Sequence, residues 1–198
     1  ELAAMDAMSL KCAQELSDAH VDVMGYACLV AIMSMGRGYH CVSEVNLHQE
    51  TVANDFPTPI VTSAGALING LKVLGAKQIS IITPYMRPLT DMVVDYIENQ
   101  GIKVKQSIAL EIPDNLEVAA QDPMNLLEIY KQLDLTDVDV LVASACVQMP
   151  SLEAIDLIQA ECGIPVTSAA VCTTYEMMKK IRIEAKSAIG GELLNGKY

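Results

Sequence analysis

The chain has 198 residues, 52% of them hydrophobic, with 11 Gly and 8 Pro, which suits one compact domain or two small ones and excludes collagen-like and low-complexity classes. Its 13 Lys and Arg against 25 Asp and Glu give a formal charge of −12, a field that repels phosphate backbones and anionic membrane surfaces. No apolar run approaches the roughly 20 residues of a spanning helix and no secretory leader opens the chain, so a soluble, cytoplasmic protein is expected, with neither a nucleic-acid nor a membrane partner.

The chain starts at Glu1 without an initiator Met, and residues upstream are expected. Met5, Met8, Cys12 and Leu16 share one face of an opening helix, and the run VDVMGYACL from Val21 reads as a buried strand. After a loop bearing Gly36, Arg37 and Gly38, Ser43 is the expected N-cap of a helix reaching Asn54. Pro57 and Pro59 end it, and IVTSA from Ile60 is a short strand. A helix with Ala64, Leu67, Ile68, Leu71 and Leu74 inward ends near Gly75, and the strand KQISIIT runs to Pro84. Pro88 opens a helix with Leu89, Met92, Val93, Tyr96 and Ile97 inward, for which Gly101 is the natural C′ residue. KVKQSIAL is a strand, EIPDNLEVAAQ a polar loop, and Asp122-Pro123 an N-cap and N1 pair for a helix through Leu133. VDVLVASAC is the next buried strand, followed by a helix capped by Ser151, the strand PVTSAA and a closing helix around Met177, Met178 and Ile181.

Apolar strands alternating with amphipathic helices indicate an α/β protein, doubly wound, with parallel sheets covered on both faces. Ligands of such sheets sit beyond the C-terminal strand ends. An internal repeat sharpens this: strand, Ala-Cys, helix, Pro and VTSA occur in that order from Val21 and again from Val138. Two similar Rossmann-like halves follow, each offering a Cys at a strand end.

Cys28 and Cys146 are therefore the chemical focus. A thiol at a strand end lies near backbone N–H groups of the next turn, which is expected to lower its pKa and favour the thiolate. Two such thiols facing one cleft can attack one atom and move a proton at its neighbour. The plainer alternative makes both of them small hydrophobes filling sheet–helix gaps. Cys12, Cys162 and Cys172 fall in helix-like segments and Cys41 in a loop, where that alternative stands. The irregular cysteine spacing, the absence of CxxC and the confinement of His20, His40 and His48 to the first quarter argue against disulfides and a metal site.

Tyr85, in TPYMRP beyond a strand end, can donate a hydrogen bond to a carboxylate or enolate oxygen, or simply pack. Asn115 can offer its amide to the same ligand, or serve as a turn residue. Arg87 reads as a solvated surface cation. A His40–Cys relay finds no supporting hydrolase motif, and GRG forms neither GxGxxG nor a P-loop, so no nucleotide or redox cofactor is implied.

Taken together, YACLVAIM at Cys28, GRGYH, PTPIVTSAGAL, TPYMRPLT, EIPDNLEV at Asn115 and SACVQMPS at Cys146 resemble the maleate cis–trans isomerases of the aspartate/glutamate racemase superfamily, along nearly the whole chain. The resemblance implies two pseudo-symmetric halves, residues 1–58 with 168–198 and residues 59–167, with the active site in the cleft between them. It implies that Cys28 adds to an olefinic carbon of maleate, that rotation about the resulting single bond follows, and that Cys146 transfers the proton, without a cofactor. Tyr85 and Asn115, with backbone N–H groups of Leu29, Val30 and Val147, would hold the carboxylates. It also implies a further strand and loop ahead of Glu1, and a homo-oligomer, dimer or tetramer. The competing readings are a two-cysteine amino-acid racemase, a decarboxylase relative with a single catalytic Cys, and a non-catalytic dicarboxylate-binding or thiol redox-sensing protein.

Overall fold

The computed structural model describes residues 2–198. The first stretch contains helix α1 (Leu2–Ser17), strand β1 (Met24–Tyr26), the short helix α2 (Leu29–Met33), α3 (Tyr39–Ala53), β2 (Ile60–Thr62) and α4 (Ser63–Val73). Then come β3 (Gln78–Thr83), α5 (Arg87–Glu98), β4 (Lys103–Ala109), α6 (Asn115–Ala119), α7 (Leu126–Ile129), β5 (Val140–Ser144), α8 (Leu152–Cys162), β6 (Val166–Ser168) and α9 (Ala169–Lys180).

The strands form two parallel sheets, β1-β2 and β4-β3-β5-β6, as expected for an α/β chain; β3 and β5 are buried, whereas the edge strand β4 is polar and partly exposed. In the larger sheet the strand order reverses between β3 and β5. At such a switch point the following connections leave toward opposite faces and a crevice opens at the carboxyl ends. Tyr85 follows β3 and Cys146 follows β5, so both lie at that crevice. The division expected at residue 59 falls just before β2, which pairs with β1, and that expected at residue 168 falls within β6.

The two VTSA segments end their strands in similar ways. The Thr62 hydroxyl accepts a hydrogen bond from Gly65 N–H to cap α4, and the Ser168 hydroxyl accepts one from Val171 N–H to cap α9. The caps differ by one position within the repeated tetrapeptide. The two helices pack together, and Gly70 lets them approach: a Cβ there would lie 2.5 Å from Cys172 Sγ. Around this contact Leu67, Leu71, Ile79, Ile81, Leu141 and Ile158 are fully buried, each contributing about 1.5–3 kcal/mol relative to exposure.

Some element starts differ from expectation. Helix α3 begins at Tyr39 behind Gly38, whose φ of +72° is left-handed, so Ser43 is buried inside the helix and Cys41 lies on it rather than in a loop. The segment after Asp122 is capped as expected, Met124 N–H donating to the Asp122 carboxylate at 2.9 Å, but alternates 3₁₀ and α turns instead of running as one helix. Ser151 is the residue before α8, yet its hydroxyl makes no capping bond. The polar loop after β4 contains α6, capped by Asp114, whose carboxylate accepts Leu116 N–H at 2.7 Å.

The apolar face of α1 is not packed against the core. Met8 and Leu16 are exposed, and with Met5 they line an apolar groove of about 530 Å³ beside Met24, Gly25 and Tyr26. Among the described residues, β1 pairs with β2 alone, so its other edge opens on this groove. No helix among the described residues is long and apolar enough to cross a membrane.

Candidate active site

A cavity of about 510 Å³ opens at the carboxyl ends of β1, β3 and β5. Cys28, Leu29, Val30, Tyr85, Asn115, Cys146 and Val147 all line it, so residues from separate segments converge there. Its other walls are mainly apolar, from Leu2, Met5, Ala27, Leu89, Pro113 and Val118.

Cys28 is the N-cap residue of α2, in extended conformation, just after β1. The first N–H groups of a helix have no carbonyl partner within it, so the amides of Leu29 and Val30 are available at this wall. Burial nevertheless dominates the thiol. It pushes the Cys28 pKa above its ordinary value, the Ala31 N–H offsets part of that, and the neighbouring Cys146 sulfur adds to the rise. This reverses the expectation that the strand-end position would favour the thiolate: desolvation of a half-buried sulfur outweighs one backbone donor.

Cys146 is buried in an irregular turn between β5 and α8. Ala145 N–H donates to Ile82 O at 2.9 Å, the last contact of this strand with β3. The Tyr85 hydroxyl donates to Ala145 O at 3.1 Å. Burial raises the Tyr85 pKa well above the ordinary phenol value, and the Cys146 and Cys28 sulfurs raise it further, so this hydroxyl stays protonated as a donor. Gln148, not among the residues picked out from the sequence, also lines the cavity and donates from Nε2 to Asn115 O at 2.8 Å. It ties the loop carrying Asn115 to the one carrying Cys146, and its position two residues beyond a strand-end cysteine was the only signal available for it.

The remaining expectations resolve simply. His40 is buried on α3, its Nδ1 2.5 Å from the Tyr96 hydroxyl, and does not line the cavity, so no His–Cys relay forms. Arg87 donates to Ser107 Oγ at 3.1 Å at the surface, likewise away from the cavity. Among the described residues lining the cavity there is no Lys, Arg or His and no Asp or Glu.

The family model described as arylmalonate decarboxylase matches residues 6–194. A maleate isomerase of Geobacillus stearothermophilus is 54% identical over 198 residues, all of this chain and 79% of that protein. One from Nocardia farcinica is 39% identical over 193 residues, 98% of this chain and 77% of that protein. The crystal structure of a cysteine-to-alanine variant of the maleate isomerase Iso from Pseudomonas putida S16, with maleate, superposes with a TM-score of 0.98 at 57% identity, covering all of this chain and 79% of that one. A cysteine-to-serine variant of the Nocardia farcinica maleate cis-trans isomerase, with a covalently bound succinylcysteine intermediate, gives a TM-score of 0.96 at 38% identity, covering all of this chain and 80% of that one. Arylmalonate decarboxylase itself, at 17% identity and a TM-score of 0.84 for one variant, shares the fold. With full-chain identities of this size beside two strand-end cysteines in one cavity, the chain belongs to the maleate isomerase family.

Proposed function

We propose that this protein isomerises maleate to fumarate through covalent addition of Cys28 and proton transfer by Cys146. The observation that carries the reading is the convergence of the two thiols on one cavity that also holds Tyr85 and Asn115. The reactive form is the Cys28 thiolate beside the Cys146 thiol. Cys28 Sγ forms a bond to one olefinic carbon, and the adjacent carbon takes the proton of Cys146, leaving a Cys146 thiolate. The former double bond is now single and rotates. Cys146 then removes a proton from the same carbon, the double bond re-forms as fumarate, and Cys28 leaves as thiolate. Both sulfurs end as they began, and no electrons are gained or lost.

In this scheme Asn115 and the Tyr85 hydroxyl, which turns its one proton from Ala145 O to the ligand, hold the carboxylates with backbone N–H groups of Leu29, Val30 and Val147. Neutral donors suit a dianion in a chain of net charge −12, because oriented amides bind an anion without a buried cation that must itself be desolvated. A racemase would need a carboxylate for an α-ammonium group. None lines the cavity among the described residues, and the nearby Asp114 is engaged in capping α6.

Proton NMR with maleate and no added cofactor tests the proposal. Fumarate should appear with the parent protein and not with a folded Cys28→Ala variant. Parent-like turnover in that variant would refute the covalent step.

A further inference from the structure

The two halves repeat the sequence strand–Ala–Cys, but the chain continues differently after each cysteine. Helix α2 begins directly behind Cys28, at Leu29, so the cysteine's backbone is fixed by the helix, Ile32 N–H donating to Cys28 O at 3.4 Å. Behind Cys146 no helix starts until Leu152, and residues 146–151 are irregular. A buried peptide unit that has left the β ladder and not entered a helix needs other partners for its N–H and C=O.

Ser144 supplies both. Its hydroxyl donates to Cys146 O at 2.9 Å and accepts Cys146 N–H at 3.3 Å. The side chain has 0% exposure, so it touches no substrate. A register shift between Val142 and Ser144 against β6 re-aims the strand end just before this turn. The corresponding position in the first half, two residues before Cys28, is Tyr26, whose buried hydroxyl has no hydrogen-bond partner and therefore does not perform this function there.

We infer that Ser144 is a positioning residue for the proton-transfer step: its hydroxyl fixes the Cys146 backbone so that the thiol meets the substrate carbon, while Cys28 is set independently by α2. The inference rests on the reading of Cys146 as the proton-transferring thiol. Losing a distance of about an ångström in such a step costs on the order of 10-fold or more in rate. Substrate binding draws mostly on groups elsewhere, Leu29, Val30, Tyr85 and Asn115, and only the Val147 N–H shares the peptide unit of Cys146 O.

The test compares Ser144→Ala, Ser144→Thr and Cys146→Ala with the parent for turnover of maleate in H₂O and D₂O. Ser144→Ala should lower kcat by about tenfold or more, raise KM by a smaller factor through the Val147 N–H, and enlarge the solvent isotope effect on kcat as proton transfer becomes limiting. The alkylation rate of Cys28 should not change. Ser144→Thr, which keeps the hydroxyl, should retain most of the parent kcat. Parent-like kcat in Ser144→Ala, or a threonine variant as slow as the alanine one, overturns the inference. A rise in KM at constant kcat does so too. If Ser144→Ala does not fold, Ser144→Cys under reducing conditions, with its weaker donor, takes its place with the same expected kcat loss, and parent-like kcat there overturns it. Parent-like turnover in Cys146→Ala would instead remove the reading beneath it, whereas an inactive Cys146→Ala beside a fully active Ser144→Ala removes the inference alone.

Discussion

The protonation state of Cys28 gives the most direct check on the chemistry of the cavity. Burial is the largest influence on this thiol and raises its pKa, the Ala31 N–H opposes it, and the Cys146 sulfur adds to the rise. A free thiol of pKa about 8.5 is roughly 3% thiolate at pH 7, and Cys28 holds less than that. Because only the thiolate reacts, its alkylation rate follows that fraction. Iodoacetamide should therefore modify Cys28 about ten times faster for each added pH unit between about pH 6 and pH 8, with no plateau in that range. Peptide mass spectrometry on timed samples separates this site from Cys12 and Cys41, both exposed. In Cys146→Ala the curve should move to lower pH, because one upward influence is gone, but burial keeps it above the ordinary thiol position. A plateau already reached by pH 7 would mean that Cys28 rests as a thiolate and that desolvation does not govern it.

Two further predictions concern the scaffold. Burial holds the His40 imidazole below its ordinary pKa, Glu44 opposing and Lys72 adding to the effect. The unfolded chain then takes up a proton near pH 6.5 that the folded chain refuses. This stability is present above that pH and is lost as the pH falls through the window toward the folded pKa, by up to about 1.4 kcal/mol per pH unit. Urea midpoints at two pH values should show a larger drop for the parent than for His40→Asn, and equal drops would refute this. Gly70→Ala places a methyl 2.5 Å from Cys172 Sγ, which should cost about 1–3 kcal/mol despite the better helix propensity of Ala. Adding Cys172→Ala should recover part of the loss in urea unfolding, and a Gly70→Ala variant more stable than the parent would contradict the close contact of α4 with α9.

The parallel-sheet architecture was legible because its signals are local and redundant: Val, Ile and Leu runs bounded by Pro and Gly, and a tetrapeptide repeated in order. The places of Tyr85, Asn115 and Cys146 followed from their positions just past strands, where any parallel sheet places its ligand. What the sequence withheld depends on three-dimensional surroundings. Gly38 in a left-handed conformation is usually a helix C′ signal, and here it precedes a helix, so Ser43 was the more plausible cap. The apolar stripe Met5–Met8–Leu16 has a helical period, but period alone does not say what covers the stripe. The direction of the Cys28 shift was hidden for a related reason. Spacing shows that amides lie ahead of a cysteine, whereas desolvation depends on walls contributed by residues as distant as Leu89 and Val118.

The contrast between the two cysteines follows from what each chain segment does next. A nucleophile that forms and breaks a carbon–sulfur bond gains from an amide that steadies its departing anion, and the Ala31 N–H at the start of α2 offers one, opposing part of the effect of burial. A proton carrier gains nothing from stabilising only one of its two states, since the same sulfur must give up a proton and then recover it. The surroundings of Cys146 suit such a carrier. It sits in a buried turn with its own N–H and C=O engaged by Ser144 and the preceding carbonyl engaged by Tyr85. Neither backbone group of Cys146 is then free to solvate its sulfur. In the proposed scheme, then, the repeat sets two thiols at equivalent strand ends, and the residues that follow them suit them to unequal roles.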